Sequence, residues 1–410
     1  MERRDFLMGA AGMLGLSSLV ARASAHTGTD SPSSAITLFL CGDVMTGRGI
    51  DQLLAHPSEP RLHEPYVRDA RRYVELAQEV HGPIERPVDP SYIWGAALAE
   101  LERLRPDVRI VNLETAVSRS SEHWPGKGIH YRMHPANVGC LTAAEIDCCV
   151  LANNHVLDWG YAGLAETVPT LRRAGVETVG AGRDLAEATA PAILEVVGKG
   201  RVVVFAFGSP TSGIPPEWAA TMERPGVSLL SELSDAALQR IAARVGAEKR
   251  PGDVVVASIH WGGNWGYAIP ADQRRFARRL VEVAGVDVVH GHSSHHPRGI
   301  EIYRGRPIFY GCGDFLNDYE GIGGHEEFRG DLVLAYFVSL DPASGRLVRL
   351  VATPFQSRRL RLERAAPADS AWLRETLDRE GGPLGTRVDA GSDETLVFRS
   401  RDDRSSAESV

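Results

Sequence analysis

The chain has 410 residues, 43% hydrophobic and 24% charged, with Lys+Arg 45 against Asp+Glu 53 and a net charge of −8. That balance supports a sizeable core and excludes disordered, collagen-like and coiled-coil chains. No block of basic residues occurs, so no nucleic-acid partner is expected.

Residues 1–25 read as an export signal. Arg3-Arg4 precede an uncharged apolar run, Met8–Val20, and Ala23-Ser24-Ala25 supplies a small-x-small end with cleavage expected after Ala25. The run is short for a bilayer span. Arg3-Arg4 followed by Asp5-Phe6-Leu7 resembles a twin-arginine signal, so export to periplasm, cell surface or medium is expected. An uncleaved anchor is the alternative.

Beyond the signal, short aliphatic runs stop at polar or Gly-rich clusters. Ala35–Leu40 precedes Cys41-Gly42-Asp43, and Val108–Val111 precedes Asn112-Leu113-Glu114. Cys148–Leu151 leads to Asn153-Asn154-His155, Val254–Ile259 to His260-Trp261-Gly262-Gly263, and Val286–Val289 to His290-Gly291-His292. Continuous apolar runs predict strands buried on both faces. Helical patterns lie between them, over Tyr66–Val80, Ala96–Arg103, Tyr161–Ala174, Asp235–Val245 and Ala271–Ala284. Each strand thus delivers a polar cluster to one sheet edge, where α/β folds place their sites.

Three further pairs predict hairpins: Ala192–Val197 with Arg201–Phe207, Ile300–Tyr303 with Ile308–Tyr310, and Leu332–Leu340 with Leu347–Ala352. The fold class is therefore α/β with mixed sheets and helices on their outer faces. No low-complexity linker or repeat divides the chain. One domain is expected, with a helical insert over residues 52–106, a helical extension over 366–399 and a frayed polar tail over 400–410. The five cysteines, Cys41, Cys140, Cys148, Cys149 and Cys312, fit no zinc spacing and read as buried thiols.

Five of the 14 histidines fall between His260 and His296, and His155 ends another strand. With Asp43, Glu114 and Asn154 they offer carboxylate, amide and imidazole donors, a set suited to Mn, Fe or Zn. Such an ion lowers the pKa of a bound water, and an imidazole beside it can protonate a leaving group. Asp158 reads either as orienting His155 or as capping the helix near Tyr161. Arg48 reads either as a bidentate anion ligand or as a surface arginine. Trp124–Gly128 and Tyr131–His134 are candidates to line a cleft. His290 reads as structural, and His296 as facing elsewhere.

Six motifs occur in order: Cys41-Gly42-Asp43-Val44-Met45-Thr46-Gly47-Arg48, Asn112-Leu113-Glu114-Thr115, Ala152–Gly160, His260-Trp261-Gly262, Gly291-His292-Ser293-Ser294-His295, and Ile308–Phe315. Together they resemble the CapA family, named for capsule and poly-γ-glutamate synthesis, over about residues 36–365. The resemblance implies a calcineurin-like metallophosphoesterase fold, a four-layer α/β/β/α sandwich of two mixed sheets. It implies one or two divalent ions held by Asp43, Glu114, Asn154, His260, His292 and His295. It makes His155 the catalytic histidine facing substrate, with Asp158 and Arg48 as further catalytic candidates. Met45 stands where that superfamily has a ligand histidine, and Asp314 where the CapA family commonly shows Asn.

Three functions follow as expectations. The first is an exported metal-dependent hydrolase acting on a phosphoester or γ-glutamyl-type substrate, a small molecule or an anionic polymer. The second is a non-catalytic capsule-biosynthesis subunit working with synthesis machinery at the membrane. The third is an anionic-polymer-binding protein, for which the net charge of −8 is unfavourable. Replacing Arg3 and Arg4 by lysine should leave precursor inside the cell; unchanged export of that variant overturns the twin-arginine reading.

Overall fold

A strand needs partners as well as an apolar run, and the partners decide where each run ends. The computed structural model describes residues 35–402, so the expected signal at 1–25 and most of the tail lie outside the described residues. Ile36–Val44 occupies the middle of a ten-stranded mixed sheet. On one side it runs parallel to Val108–Leu113, followed by Cys148–Val150 and Glu177–Val179. On the other it is antiparallel to Leu332–Asp341, which leads on to Arg346–Arg358, Leu396–Ser400 and Thr386–Ala390. A six-stranded mixed sheet has the order Ile300–Tyr303, Arg306–Phe309, Val288–His292, Val254–His260, Gly200–Gly208, Ala192–Val196. The chain is thus α/β with mixed sheets, and all three expected hairpins form antiparallel pairs.

The first strand continues past its apolar run because its polar end is paired. Asp43 lies opposite Asn112 on one neighbour and opposite Asp314 of the short parallel strand Asp314–Leu316 on the other. Alternate residues enter different cores, as the two-residue period of a strand requires. Leu38 and Leu40 join Val202, Val204, Val254, Val256 and Val288. Phe39 and Cys41 join Trp94 of the turn Tyr92–Trp94, Ala97 and Leu101 from the helix Ala96–Leu104, and Leu171 from Gly160–Arg173. Val203, Val255 and Ala257 join Leu238 and Ile241 from Asp235–Glu248 and Phe276 and Leu280 from Ala271–Val283. Each large side chain so buried contributes about 1.5–3 kcal/mol. A one-residue slip would exchange the two faces, which pins the register and hence the height of Asp43.

Residues 366–399 differ from the helical extension expected there. Helix covers Pro367–Gly381, after which Thr386–Ala390 and Leu396–Ser400 add two strands to the large sheet. Their alternation is short but clear: Thr386, Val388, Leu396 and Phe398 are buried. Ser400 closes a strand rather than starting a tail, and Arg401 donates its backbone N–H to Gly385 at 2.8 Å. Within 52–106 the helices are Arg71–His81 and Ala96–Leu104, with irregular chain before each. All five cysteines are buried and unpaired. Among the described residues no helix is long and apolar enough to cross a membrane.

Gly42 brings this sheet edge together. A Cβ there would sit 1.6 Å from the carbonyl oxygen of Gly313, the residue that introduces Asp314. Gly42→Ala should therefore destabilise by about 1–3 kcal/mol or more in chemical denaturation. A neutral result would mean that the Gly313 turn is free to move away.

Candidate metal centre

Asp43 is fully buried at the end of the central strand, with two groups of ligand atoms closing on it. One is Asp43, His260 and His292; the other is Asp43, His295 and Asp314; within each the ligand atoms lie inside 4.8 Å of one another. His260 and His292 arrive from the ends of Val254–His260 and Val288–His292, placed side by side by parallel register. Their Nδ1 atoms are 3.9 and 3.8 Å from Asp43 Oδ1. His295 Nδ1 meets Asp314 Oδ1 at 2.9 Å. Glu114 Oε1 lies 3.8 Å from His260 Nε2 and 3.7 Å from His155 Nε2. Asn154 enters through His260, its Oδ1 standing 2.9 Å from Nε2.

Electrostatics follow from burial. Loss of water, then the charge of Asp314, pushes Asp43 up to about 7. Burial and then Asp43 push Glu114 well above the usual carboxylate range. Burial holds His260 and His292 well below the usual imidazole value. It opposes protonation of His295 too, but Asp314 and Asp43 together raise that ring.

A chain of hydrogen bonds runs behind these rings and bears on which nitrogens keep a lone pair. The Cys41 carbonyl can only accept, so His290 Nε2 donates to it at 2.7 Å. His290 Nδ1 then accepts from Ser258 Oγ at 3.0 Å, and Ser258 Oγ accepts from His292 Nε2 at 2.9 Å. The neutral His292 ring is left with a lone pair on Nδ1, 2.8 Å from Nδ1 of His260. His260 has one proton for two acceptors, Asn154 Oδ1 and His292 Nδ1. With the proton on Nε2, two lone pairs face each other beside a carboxylate. A cation there would satisfy both; Glu114, hydrogen-bonded to Asp43, stands next to them. The donor set and its unmet valences fit a divalent ion.

His155 is held beside this pocket by a separate device. Asp158 Oδ2 accepts from His155 Nδ1 at 2.6 Å and from the backbone N–H of Tyr131 at 2.6 Å. Lys127 Nζ lies 2.5 Å from Asp158 Oδ1 and 2.9 Å from His155 Nδ1. With Asp158 taking the Nδ1 proton the Nε2 lone pair is directed to Glu114, although the Lys127 ammonium, which can only donate, contacts the same Nδ1. Burial holds His155 down to about 4 against the pull of Asp158. Asp158 therefore orients His155; the helix Gly160–Arg173 has no side-chain cap from it.

The sequence profile described as "Bacterial capsule synthesis protein PGA_cap" matches residues 37–319. The chain belongs to that family. A probable polyglutamine synthesis accessory protein of Mycobacterium tuberculosis (strain H37Rv) is 50% identical over 362 residues, 88% of this chain and 95% of that protein. The capsule biosynthesis protein CapA of Bacillus anthracis is 28% identical over 284 residues, 69% of this chain and 60% of that protein. The PGA biosynthesis protein CapA of Bacillus subtilis (strain 168) is 29% identical over 192 residues, 47% and 48% of the two chains.

Arg48 does not face the site as a free anion ligand, nor is it a surface residue. It is 4% exposed. Its guanidinium takes Asp318 in a bidentate pair at 3.1 and 2.5 Å, Glu64 at 3.0 Å and the Tyr73 hydroxyl at 3.0 Å. The carboxylate it binds belongs to its own chain. Met45 is buried, with the Tyr319 hydroxyl 3.6 Å from its sulfur. Three site residues lack a signal of their own. Asn112 donates to Asp43 at 2.7 Å, Asp314 completes a triad, and Lys127 shares Asp158. Asn112 and Asp314 stood within the ordered motifs and Lys127 in a cleft candidate, but none of the three was assigned to the site.

Arg48→Met leaves Asp318 and Glu64 buried without their cation. Unfolding free energy should fall by about 3–5 kcal/mol. A loss below ~1 kcal/mol, typical of an exposed pair, would exclude this structural role.

Proposed function

We propose that this protein is an exported metal-dependent hydrolase linked to capsule or poly-γ-glutamate metabolism, acting on a phosphoester or γ-glutamyl-type substrate. The capsule link rests on the family and on the names its relatives carry. The sorting of strand residues into three cores supports a four-layer α/β/β/α arrangement of metallophosphoesterase type. Asp43, His260 and His292 would hold one ion, and Asp43, His295 and Asp314 a second, with Glu114 and Asn154 adjoining. Mn, Fe or Zn suits these donors. Such an ion supplies a water acidic enough to attack near neutrality and polarises the bond under attack.

The observation that carries the catalytic reading is His155. Its Nδ1 is fixed by Asp158, its ring is braced edge-on by Tyr131 at 4.6 Å, and its Nε2 is left without a hydrogen bond next to Glu114. That nitrogen can take a proton and return it to a leaving group. Lys127 keeps Asp158 charged and in place, so the ring is oriented before substrate arrives. The twin-arginine export of the folded chain and a partner in the capsule machinery at the membrane belong to the same proposal.

One feature favours a non-catalytic biosynthesis subunit: Met45, buried beneath Tyr319, contributes no ligand nitrogen. The two readings separate on His155. His155→Ala should keep its metal in elemental analysis and lose turnover by at least ~100-fold, the lower range of general acid–base catalysis. His292→Ala should lose metal and turnover together. Metal-replete wild type that cleaves no phosphoester or γ-glutamyl peptide from a broad panel would favour the subunit reading instead.

A further inference from the structure

Two tyrosine hydroxyls meet between His155 and His295. The Tyr131 ring stands edge-on to His155 at 4.6 Å, and the Tyr319 ring edge-on to His295 at 5.4 Å. Tyr131 Oη donates to Tyr319 Oη at 3.0 Å, so the pair connects the histidine assigned above to proton transfer with a candidate ligand. The chain after Asp314 folds back to allow this. Its Asn317 amide donates to Asp314 Oδ2 at 2.8 Å, and Asn317 Oδ1 accepts the Tyr319 backbone N–H at 3.1 Å. Arg48, fixed by Asp318 and Glu64, packs over the Tyr131 ring at 4.4 Å and holds the pair in place.

The two hydroxyls differ in what is left to them. Tyr131 is fully buried and gives its proton to Tyr319. Tyr319 is half-buried, and its acceptor among the described residues is the Met45 sulfur at 3.6 Å. A thioether accepts hydrogen bonds only weakly. A phenol keeps its proton near neutrality, its ordinary pKa being about 10. Tyr319 is therefore a donor without a strong acceptor, and accepting from Tyr131 makes it a better one, because linked hydrogen bonds polarise one another. The carboxylates whose charge acts on this hydroxyl include Asp314 and Glu114, both at the candidate metal centre.

We propose that Tyr319 Oη is the hydrogen-bond donor to an oxygen of the phosphoryl or acyl group that the metal centre receives. The assignment rests on the metal-dependent reading of the same site and adds a residue to it. The entering oxygen takes the Tyr319 proton from the Met45 sulfur, while Tyr131 goes on donating to Tyr319 from the buried side. Met45 acquires a use in this arrangement. A ring nitrogen at position 45 would hold the same proton more firmly, whereas a thioether releases it to a better acceptor.

The test is made on protein loaded with Mn²⁺ and matched for bound metal by elemental analysis, and it reads binding rather than turnover. Calorimetric titration with inorganic phosphate and, separately, with glutarate at constant ionic strength should show saturable binding. The tighter probe identifies the group as phosphoryl or carboxyl. Tyr319→Phe removes the hydroxyl and keeps the ring against His295. It should weaken that binding by about 10-fold or more with metal content unchanged, the value of a hydrogen bond to a charged group. Met45→Leu removes only the resting acceptor and should leave affinity unchanged or raise it. A hydroxyl that merely held Met45 in place would make both variants weaken binding alike. Unchanged affinity in Tyr319→Phe, loss of the ion from that variant, equal weakening in both variants, or no saturable binding of either probe by wild type would each overturn the proposal. Turnover of the phosphoester and γ-glutamyl panel by wild type judges the hydrolase reading separately, so either can fail alone.

Discussion

Asp43 loses its water where the central strand ends, with Asp314 on one neighbouring strand and Asn112 on the other. Burying a carboxylate next to a second and a third is unfavourable by several kcal/mol unless other groups compensate. Each contact around it does part of that work. Asn112 donates its amide to Oδ1, and the Ser293 backbone N–H lies 3.2 Å from Oδ2. Asp314 and Asp43 favour protonation of His295 against the effect of burial, and a proton there offsets their charge. Glu114, pushed to hold its proton, contributes less repulsion than an ionised acid would. These contacts offset part of the repulsion among the three acids, and a cation of the kind proposed above would offset the rest.

The same constraint reaches into the architecture. His290 on the six-stranded sheet donates to the Cys41 carbonyl on the ten-stranded sheet, two residues before Asp43. This bond sets the direction of the hydrogen bonds through Ser258 to His292, so the joint between the sheets also leaves the lone pair of His292 on Nδ1. A change at His290 would therefore act on packing and on His292 at once. Close approach at Gly42 and Gly313 is the other half of the joint, since any side chain at Gly42 would drive Asp314 away.

Much of this was legible because each polar cluster directly follows an apolar run. Ile36–Val44 runs parallel to Val108–Leu113 in the ten-stranded sheet and Val254–His260 to Val288–His292 in the six-stranded one, so each sheet gathers its polar strand ends, and Asp43 and Glu114 meet His260 and His292 across the two sheets. Asp314 had no such run before it; its strand is three residues long and exists by pairing with Ile36–Val44. Arg48 was misread because one sequence does not reveal that Asp318 and Glu64 come from distant segments to consume it. The C-terminal strands were missed because five-residue segments such as Thr386–Ala390 carry too few alternations to outweigh the helix Pro367–Gly381 before them. Local pattern identifies what a segment can bury; long-range pairing decides which charge meets which.

The trio Lys127, Asp158 and His155 is hard to account for as packing alone. Three ionisable groups are brought out of water, and two of them, Lys127 and Asp158, satisfy each other at 2.5 Å. A structural histidine in that position would use both ring nitrogens, as His290 does between Ser258 and Cys41. His155 uses only Nδ1. Its Nε2 stops 3.7 Å from Glu114, beyond hydrogen-bond range, on the side where the ligand atoms of Asp43 and His260 gather. An orienting carboxylate and a nitrogen without a hydrogen bond beside Glu114 have a physical rationale when, as proposed above, a substrate atom enters the gap between them.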